Sequence, residues 1–282
     1  MTAHEVLQKV RQLPAISPAA LQLLRLLNQE DADGSGIVHC LKHDPALTAR
    51  LLRLCNSAEV GLSEKVASVD QALFLLGYRR LHELALQIAV GDALGVAVPA
   101  YAIEPRTLWR HSVASARAAE LLAEQSPCGT LSADLSFTAG LLHDIGKILL
   151  AQVMDEATCS SIRHAIEVQG TPWSEAERQT LGTDHAEVGA ALLEQWQLPD
   201  PLVHAVARHH QPCHACQPPL CAVVHLADCL AHAAGANAGW HALANRVDPD
   251  SATQWGLGES RIATLMAELA EHLITVEASL KP

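Results

Sequence analysis

TAGLLHDIGKI, residues 138–148, contains a His143–Asp144 pair at the end of an apolar run with helical character. An imidazole next to a carboxylate is a ligand set that zinc, iron and manganese all accept. We expect Gly146 to end the helix and Lys147 to place a cation near the pair. Because such a dipeptide alone is more often an ordinary helix end, a metal site requires partners from elsewhere in the chain.

Further imidazole and carboxylate groups lie on other apolar runs, and a site in a helical bundle takes its ligands from facing helices. The candidates are His111 in WRHSVASARAAELLAEQ, His185 in HAEVGAALLEQW, His209 and His210 in LPDPLVHAVARHHQP, and Asp228 in VVHLADCLAHAAG. Each alone fits an ordinary surface or core residue, and Asp228 alone also fits a helix cap. A carboxylate in so apolar a helix is unfavourable unless something pairs with it. Taken together, this order over successive apolar helices predicts a metal site.

With HDIGK at its centre, this order of ligands resembles the HD superfamily of metal-dependent phosphohydrolases. The remaining sequence resembles the HDOD domain, a bacterial signalling relative of those enzymes. The resemblance covers about residues 13–212 and implies an all-helical, two-lobe HDOD fold whose second lobe is an HD-type helical bundle. The stretches that support it are LPAISPAALQLLRLLNQ from Leu13, DPALTARLLRLCNSAEVGL from Asp44, VASVDQALFLLGYRRLHELAL from Val66, and LGTDHAEVGAALLEQWQLPDPLVHAVARHHQP from Leu181.

The resemblance also implies one or two divalent transition metal ions, of which iron, manganese and zinc all suit nitrogen and oxygen ligands. Asp144 would bridge two positions and act in catalysis, and Lys147 would hold a substrate phosphate. The first metal position would be formed by Asp144 with His111, His143 and Asp228. The second would be formed by Asp144 with His185, His209 and His210.

The helix signals are local and regular. Ser17 before Pro18 and Asp44 before Pro45 are N-caps followed by a proline at the first helical position, so helices begin there. Amphipathic helices are predicted over 18–30, 36–43, 45–56, 70–76 and 78–94, with Gly77 between the last two. Strand signals are scarce, and only 3% of residues are aromatic. The sequence therefore predicts an all-α fold.

A break in the helical pattern falls at GVAVPAYAIEP, residues 95–105. We expect a first helical lobe over 1–100 without ligand candidates and an HD-like lobe with the metal site over 101–234. A C-terminal helical extension over 235–282 would pack on the HD-like lobe. Its apolar stripe could instead form a homodimer surface; the stripe consists of Ile262, Leu265, Leu269, Leu273 and Val276.

Composition predicts a soluble, cytoplasmic protein that avoids nucleic acid and membranes. The net charge of -12 comes from 31 acidic and 19 basic residues, and it repels nucleic acid and anionic lipid at long range. The beginning of the chain has no signal-peptide core, and no uninterrupted apolar stretch reaches the roughly 18 residues of a membrane span. The eight cysteines are best interpreted as reduced thiols.

Cys213 and Cys216 form the first half of a zinc-site spacing in CHAC. The second half of that spacing is missing. A closed zinc site would have to use His214 and Cys221, whereas the alternative is a surface turn with oxidisable thiols.

Two functions from different classes fit the sequence. The first is a regulatory module that binds a signalling protein or a small phosphorylated ligand, as the resemblance to HDOD domains implies. The second is a metal-dependent phosphohydrolase, either a phosphodiesterase or a nucleotide phosphatase. Cyclic-dinucleotide phosphodiesterases of the HD-GYP type have a Gly-Tyr-Pro loop after the paired histidines, but QPCHACQPPL stands in that place here. This difference argues against cyclic di-GMP as a substrate.

An aromatic and basic cluster, Tyr78, Arg79 and Arg80, follows Gly77 in a chain that is poor in both residue types. Aromatic residues and arginine are enriched at protein interfaces, so this cluster is a candidate partner-binding surface. The alternative is that Tyr78 packs inward and both arginines form intramolecular ion pairs.

Overall fold

The computed structural model describes residues 1–11, 14, 16–26, 34–42, 44–57, 60–62, 64–126, 131–212, 219–236 and 247–279. Within these ranges the regular structure is helical, apart from one isolated bridge between Val98 and Ile103. The predicted all-α class is therefore confirmed. None of the described helices is both long and apolar enough to cross a membrane.

Among the described residues, five helices precede the predicted break in the chain. They are α1 (Ala3–Lys9), α2 (Pro18–Arg25), α3 (Gly34–Lys42), α4 (Pro45–Cys55) and α5 (Val69–Leu94). The N-caps operate as predicted, since Ser17 Oγ accepts a hydrogen bond from Ala20 N and Asp44 Oδ1 accepts one from Leu47 N. Gly77 lies inside α5 with a φ of 75°, so the two predicted helices are one element with a kink.

In the described part of the chain after the break there are ten further helices, with short 3-10 turns at Pro99–Tyr101 and Ala151–Val153. Five of them supply the predicted ligands, as described below. In order, the ten are α6 (Thr107–Glu124), α7 (Ala133–Leu142), α8 (Gly146–Leu150), α9 (Glu156–Glu167), α10 (Trp173–Leu181), α11 (His185–Gln195), α12 (Asp200–Arg208), α13 (Leu220–Ala233), α14 (Pro249–Gln254) and α15 (Glu259–Ser279).

One hydrophobic core extends from the first helices into the ligand-bearing ones. Its buried members include Leu23 and Leu84 before the break and Leu141 and Val206 after it. Helices α2, α3 and α4 pack on α5, whereas α1 packs on α11 and α8. The first helix of the predicted 1–100 lobe thus lies against the HD-like lobe. The boundaries at 100 and 234 stay a prediction.

The C-terminal helix packs within the molecule. Leu265 and Leu269 of α15 are buried in a cluster with Leu122 of α6 and Leu226 of α13, and Leu273 is also buried. This arrangement corresponds to the intramolecular alternative for the apolar stripe. The Val276 side chain lies outside the described residues.

Gly146 allows α8 to approach α11 at backbone distance. A Cβ atom at this position would lie 1.9 Å from His185 O and 2.6 Å from Gly189 N. The prediction that Gly146 ends the preceding helix is wrong, because α7 ends at Leu142 and Gly146 is the first residue of α8. The glycine is required by tertiary packing, which local sequence does not reveal.

We expect Gly146→Ala to lower the free energy of unfolding by about 3 kcal/mol or more, because the added methyl group meets fixed backbone atoms. Gly258→Ala is the matched control, since its Cβ would have no neighbour within 4 Å. Chemical denaturation of both variants gives the comparison. If Gly146→Ala were as stable as Gly258→Ala, the close contact between α8 and α11 would be refuted.

Candidate metal centre

The predicted ligands meet where five helices converge, and most of them lie at helix ends. His143 is the C-cap of α7, Asp144 lies in the turn before α8, and His185 is the first residue of α11. His209 is the C-cap of α12. Only His111 of α6 and Asp228 of α13 lie within helices. The helix packing therefore fixes the relative positions of the ligands.

The first group of ligands surrounds one oxygen of Asp144. His111 Nε2 lies 3.3 Å from His143 Nε2, and Asp144 Oδ2 lies 3.5 Å and 3.4 Å from these two nitrogens. Asp228 Oδ1 lies 3.1 Å from His111 Nε2. His111, His143 and Asp144 present ligand atoms that all lie within 4.8 Å of one another, which is close enough to share one metal ion.

The second group faces the other oxygen of the same carboxylate. His185 Nε2 lies 3.4 Å from Asp144 Oδ1 and 2.8 Å from His210 Nε2. His185, His209 and His210 also offer ligand atoms within 4.8 Å of one another. The two oxygens of Asp144 thus point to different histidine groups, which is the arrangement that a bridging carboxylate requires.

Four of these histidines are held through Nδ1 by an oxygen atom. His143 and His209 contact the carbonyl oxygens of Gly140 and Val206 at 2.8 Å and 2.7 Å. His111 contacts the carbonyl oxygen of residue 236 at 2.7 Å, and His185 contacts a Glu177 carboxylate oxygen at 2.6 Å. Because these oxygens only accept, Nδ1 carries the hydrogen, and Nε2 of each ring is the atom that faces the centre, where it offers a lone pair when the ring is neutral.

Two polar atoms in this centre fit a metal better than they fit the protein alone. Asp144 Oδ1 and His209 Nε2 are buried, and neither has a hydrogen-bond partner among the residues that the structure describes. Leaving a buried polar atom without a partner costs about 1–3 kcal/mol. A cation between the groups would satisfy both atoms, so the side chains present fit a metal.

The electrostatics favour the metal-binding form of three of the predicted ligands, His209, His210 and Asp144. Burial and the neighbouring His185 lower the pKa of both His209 and His210 well below the usual range, so these rings stay neutral. Burial opposes ionisation of Asp144, but His143 and Lys147 outweigh it and hold its pKa well below normal. His143 differs: burial opposes its protonation, yet Asp144 and Asp228 raise its pKa to about 10, so a metal would have to displace a proton from this ring.

Lys147 occupies the position that the sequence predicts, next to the paired ligands. Its Nζ donates to Asp144 Oδ2 at 2.6 Å and lies 5.5 Å from the centre of the Trp173 ring. The ammonium group therefore balances the charge of the carboxylate directly.

Sequence reasoning missed His232, which joins the centre on α13. His232 Nε2 lies 3.3 Å from Asp228 Oδ1, and the two residues form a third ligand group with His111. The spacing of four between Asp228 and His232 places both on one helix face and was a usable signal.

Glu177 of α10 was also missed, although it is fully buried beside the centre. Its carboxylate accepts hydrogen bonds from Tyr101 Oη at 2.7 Å and from Trp173 Nε1 at 2.8 Å, and it contacts His185 Nδ1. No ligand spacing identifies such a residue, since Glu177 orients a ligand and does not face the centre itself.

The predicted partner cluster makes internal contacts. Tyr78 is half-buried against the core, and its ring stacks on His82. Arg79 forms ion pairs with Glu83, Glu120 and Glu124, and Arg80 pairs with Glu83 at 3.0 Å. These contacts match the intramolecular alternative, and a partner-binding role stays a prediction.

The predicted CHAC site falls at Cys213 and Cys216, which lie outside the described residues together with His214. Cys221, its further candidate ligand, is buried at the start of α13.

Comparison with known proteins identifies relatives over most of the chain. The family model described as HDOD domain matches residues 13–212. An uncharacterized protein of Treponema pallidum (strain Nichols) is 27% identical over 213 residues, which are 76% of this chain and 40% of that protein. The present chain thus spans less than half the length of that relative.

Solved structures share the fold. An HDOD domain protein of unknown function from Geobacter sulfurreducens has a TM-score of 0.70 at 24% identity, covering 95% of both chains. A Shewanella amazonensis SB2B protein, provisionally named a phosphohydrolase, has a TM-score of 0.66 at 29% identity over 97% of this chain and 94% of that chain. A Marinobacter aquaeolei VT8 protein, provisionally named a signal transduction protein, has a TM-score of 0.74 at 24% identity over 98% of this chain and 63% of that chain.

We expect purified protein to contain one or two transition-metal equivalents. We also expect Glu177→Gln to bind metal about 10–100-fold more weakly, because the amide does not orient His185 as the carboxylate does. Glu187→Gln is the control, because Glu187 is an exposed carboxylate on α11, the helix that carries His185, and this variant should bind metal like the wild type. Chelator competition with elemental analysis measures both variants.

Asp144→Ala should bind the least metal of these variants, since loss of the carboxylate would remove a ligand from both metal positions. Full metal occupancy in Asp144→Ala, or an affinity in Glu177→Gln equal to that in Glu187→Gln, would contradict the assigned roles.

Proposed function

The chain belongs to the HDOD domain family, and from this premise we propose that it is a cytoplasmic bacterial regulatory protein. It would act by binding a signalling protein or a small phosphorylated ligand and would retain a metal centre in its HD-like lobe. Its net charge of -12 supports a role apart from nucleic acid and membranes. The alternative function is that of a metal-dependent phosphohydrolase.

The main support for the regulatory function is that the predicted ligands are largely shielded from solvent, with only His210 among them half-buried. Asp144 is only 1% exposed and Lys147 only 5%, and His111, His143, His185 and His209 are fully buried. Turnover requires a substrate to lie about 3–3.5 Å from the reacting groups. A centre buried to this degree fits a stabilising or sensing role better than it fits rapid exchange of substrate and product.

A metal ion in this position would connect elements that are distant in sequence. The residues that would hold it come from within α6 and α13, the end of α7 and the turn before α8, the start of α11 and the end of α12. Because the unfolded chain lacks such a site, metal binding would stabilise the folded lobe. Metal occupancy could thereby control the surface that a partner recognises.

The phosphohydrolase alternative is favoured by the same ligand set. A bound divalent metal would supply Lewis acidity that polarises a phosphoryl oxygen. Lys147 would have to turn from Asp144 toward a substrate phosphate, and a path to the buried centre would have to open. The relative from Shewanella amazonensis that is provisionally named a phosphohydrolase supports this alternative.

We propose that a partner binds the surface formed by Tyr78, Arg79 and Arg80, and that Arg80 makes the main contact. Arg80 is 34% exposed and pairs with one carboxylate, that of Glu83. Arg79 is engaged by Glu83, Glu120 and Glu124, so reversing its charge would create repulsion inside the molecule. A binding test on this surface should therefore change Arg80 and leave Arg79 intact.

We expect metal-loaded protein to hydrolyse cyclic dinucleotides and nucleoside phosphates no faster than Asp144→Ala does, because the closed centre does not position a substrate. Product formation followed by chromatography measures these rates for iron-, manganese- and zinc-loaded protein.

A metal-dependent rate that both Asp144→Ala and Lys147→Ala abolish would establish the enzyme alternative. Lys65→Ala, which removes an exposed lysine distant in sequence from the motif, is the control for nonspecific loss of charge.

A further inference from the structure

His232 lies next to the first group of metal ligands, on the same face of α13 as Asp228. Its Nε2 atom is 3.3 Å from Asp228 Oδ1, and its ring centre is 4.5 Å from that of His111. With His111 and Asp228 it offers ligand atoms that all lie within 4.8 Å of one another. His111 also belongs to the group with His143 and Asp144, so the two groups adjoin.

Asp228 Oδ1 connects these side chains. Imidazole nitrogens of His111, His232 and His143 lie 3.1 Å, 3.3 Å and 3.7 Å from this one oxygen. Two adjacent ligand atoms that are each about 2.1 Å from the same ion lie roughly 3.0–3.4 Å apart in four- to six-coordinate geometries. The distances from Asp228 Oδ1 to His111 and His232 match this separation. An ion bound to this oxygen would therefore also reach His232.

The exposure of His232 distinguishes it from the other histidines of the first position. Its side chain is 10% exposed, whereas those of His111 and His143 are fully buried. At the second position, His210 is half-buried and His185 and His209 are buried. Each metal position thus has one histidine that reaches toward solvent, and a metal ion could enter on that side.

The contact between His232 and Asp228 also fits a simpler role. In the absence of metal, Nε2 can donate a hydrogen bond to Asp228 Oδ1, and the histidine would then only orient the carboxylate. Such orienting residues are common around metal sites. The two roles differ in what the ring nitrogen provides, because a ligand offers a lone pair and an orienting residue offers a hydrogen.

We propose that His232 is a ligand of the first metal position and that it makes this position selective for iron(II) or manganese(II) over zinc. With His111, His143, Asp144 and Asp228, it raises the number of protein ligands to five. Structural zinc sites are almost always four-coordinate, whereas iron and manganese are commonly held by larger sets of nitrogen and oxygen ligands. Five protein ligands also leave little room for a substrate. The inference rests on the metal centre of the proposed regulatory function and names the class of metal that it takes.

The test compares His232→Gln with His232→Glu, whose side chains have the same shape. The introduced carboxylate can bind a metal but cannot donate to Asp228 when ionised, whereas the introduced amide can donate to Asp228 and is a weaker metal ligand. Both are made in a His210→Ala background, which removes a ligand from the second position and leaves the first to be measured. We expect manganese(II) affinity, measured by chelator competition, to fall about tenfold or more in His232→Gln and by less than about threefold in His232→Glu.

Zinc tests the selectivity. Because four ligands suffice for zinc, His232→Ala should weaken zinc binding less than manganese binding, and the ratio of zinc to manganese affinity should rise about tenfold. His204→Ala, which removes an exposed imidazole from α12, should leave both affinities unchanged. Thermal unfolding of the metal-free variants shows whether each one is folded.

Manganese affinity that is kept in His232→Gln and lost in His232→Glu would show that His232 only orients Asp228, and it would overturn the proposal. An unchanged ratio of zinc to manganese affinity in His232→Ala would also overturn it. Either result would leave the metal centre of the proposed function in place. A wild-type protein that binds neither metal would instead refute that centre and this proposal together.

Discussion

The arrangement of this structure depends most strongly on one buried negative charge, the carboxylate of Asp144. The side chain is 1% exposed, and it can stay ionised there only because His143, Lys147 and His185 offset the effect of burial. Each of its oxygens faces a different histidine group. Every helix that supplies a predicted ligand must therefore be positioned so that its side chain lies near this carboxylate. The packing of these helices and the ionisation of Asp144 therefore depend on each other. A bound metal would stabilise the carboxylate more than the protein contacts alone do.

Local sequence was sufficient to predict the helices and to identify the candidate ligands that the fold brings together. Ser17 and Asp44 cap their helices through their own side chains, and such caps are visible in a few residues. The His143–Asp144 pair and the order of its partners were visible for the same reason: each stands out against an apolar helix. The residues that were missed act through tertiary structure. Glu177 reaches the centre by orienting His185, and the role of Gly146 depends on a backbone that lies 39 residues later in sequence.

The same distinction applies to function. The HDOD family and the fold follow from the sequence and from the related structures, but neither specifies what the protein recognises. Most of the predicted metal ligands are buried, and helix α5 of the first lobe packs on α6 and α7, the helices that carry His111 and His143.

Anomalous X-ray diffraction from crystals of metal-loaded protein tests the central claim most directly, because it locates each metal and identifies the element. The account predicts a metal peak on each side of Asp144, one beside His111 and His143 and the other beside His185 and His209, with one carboxylate oxygen at each. Peaks confined to other parts of the molecule, with the Asp144–Lys147 ion pair intact and no metal between the histidine groups, would contradict it.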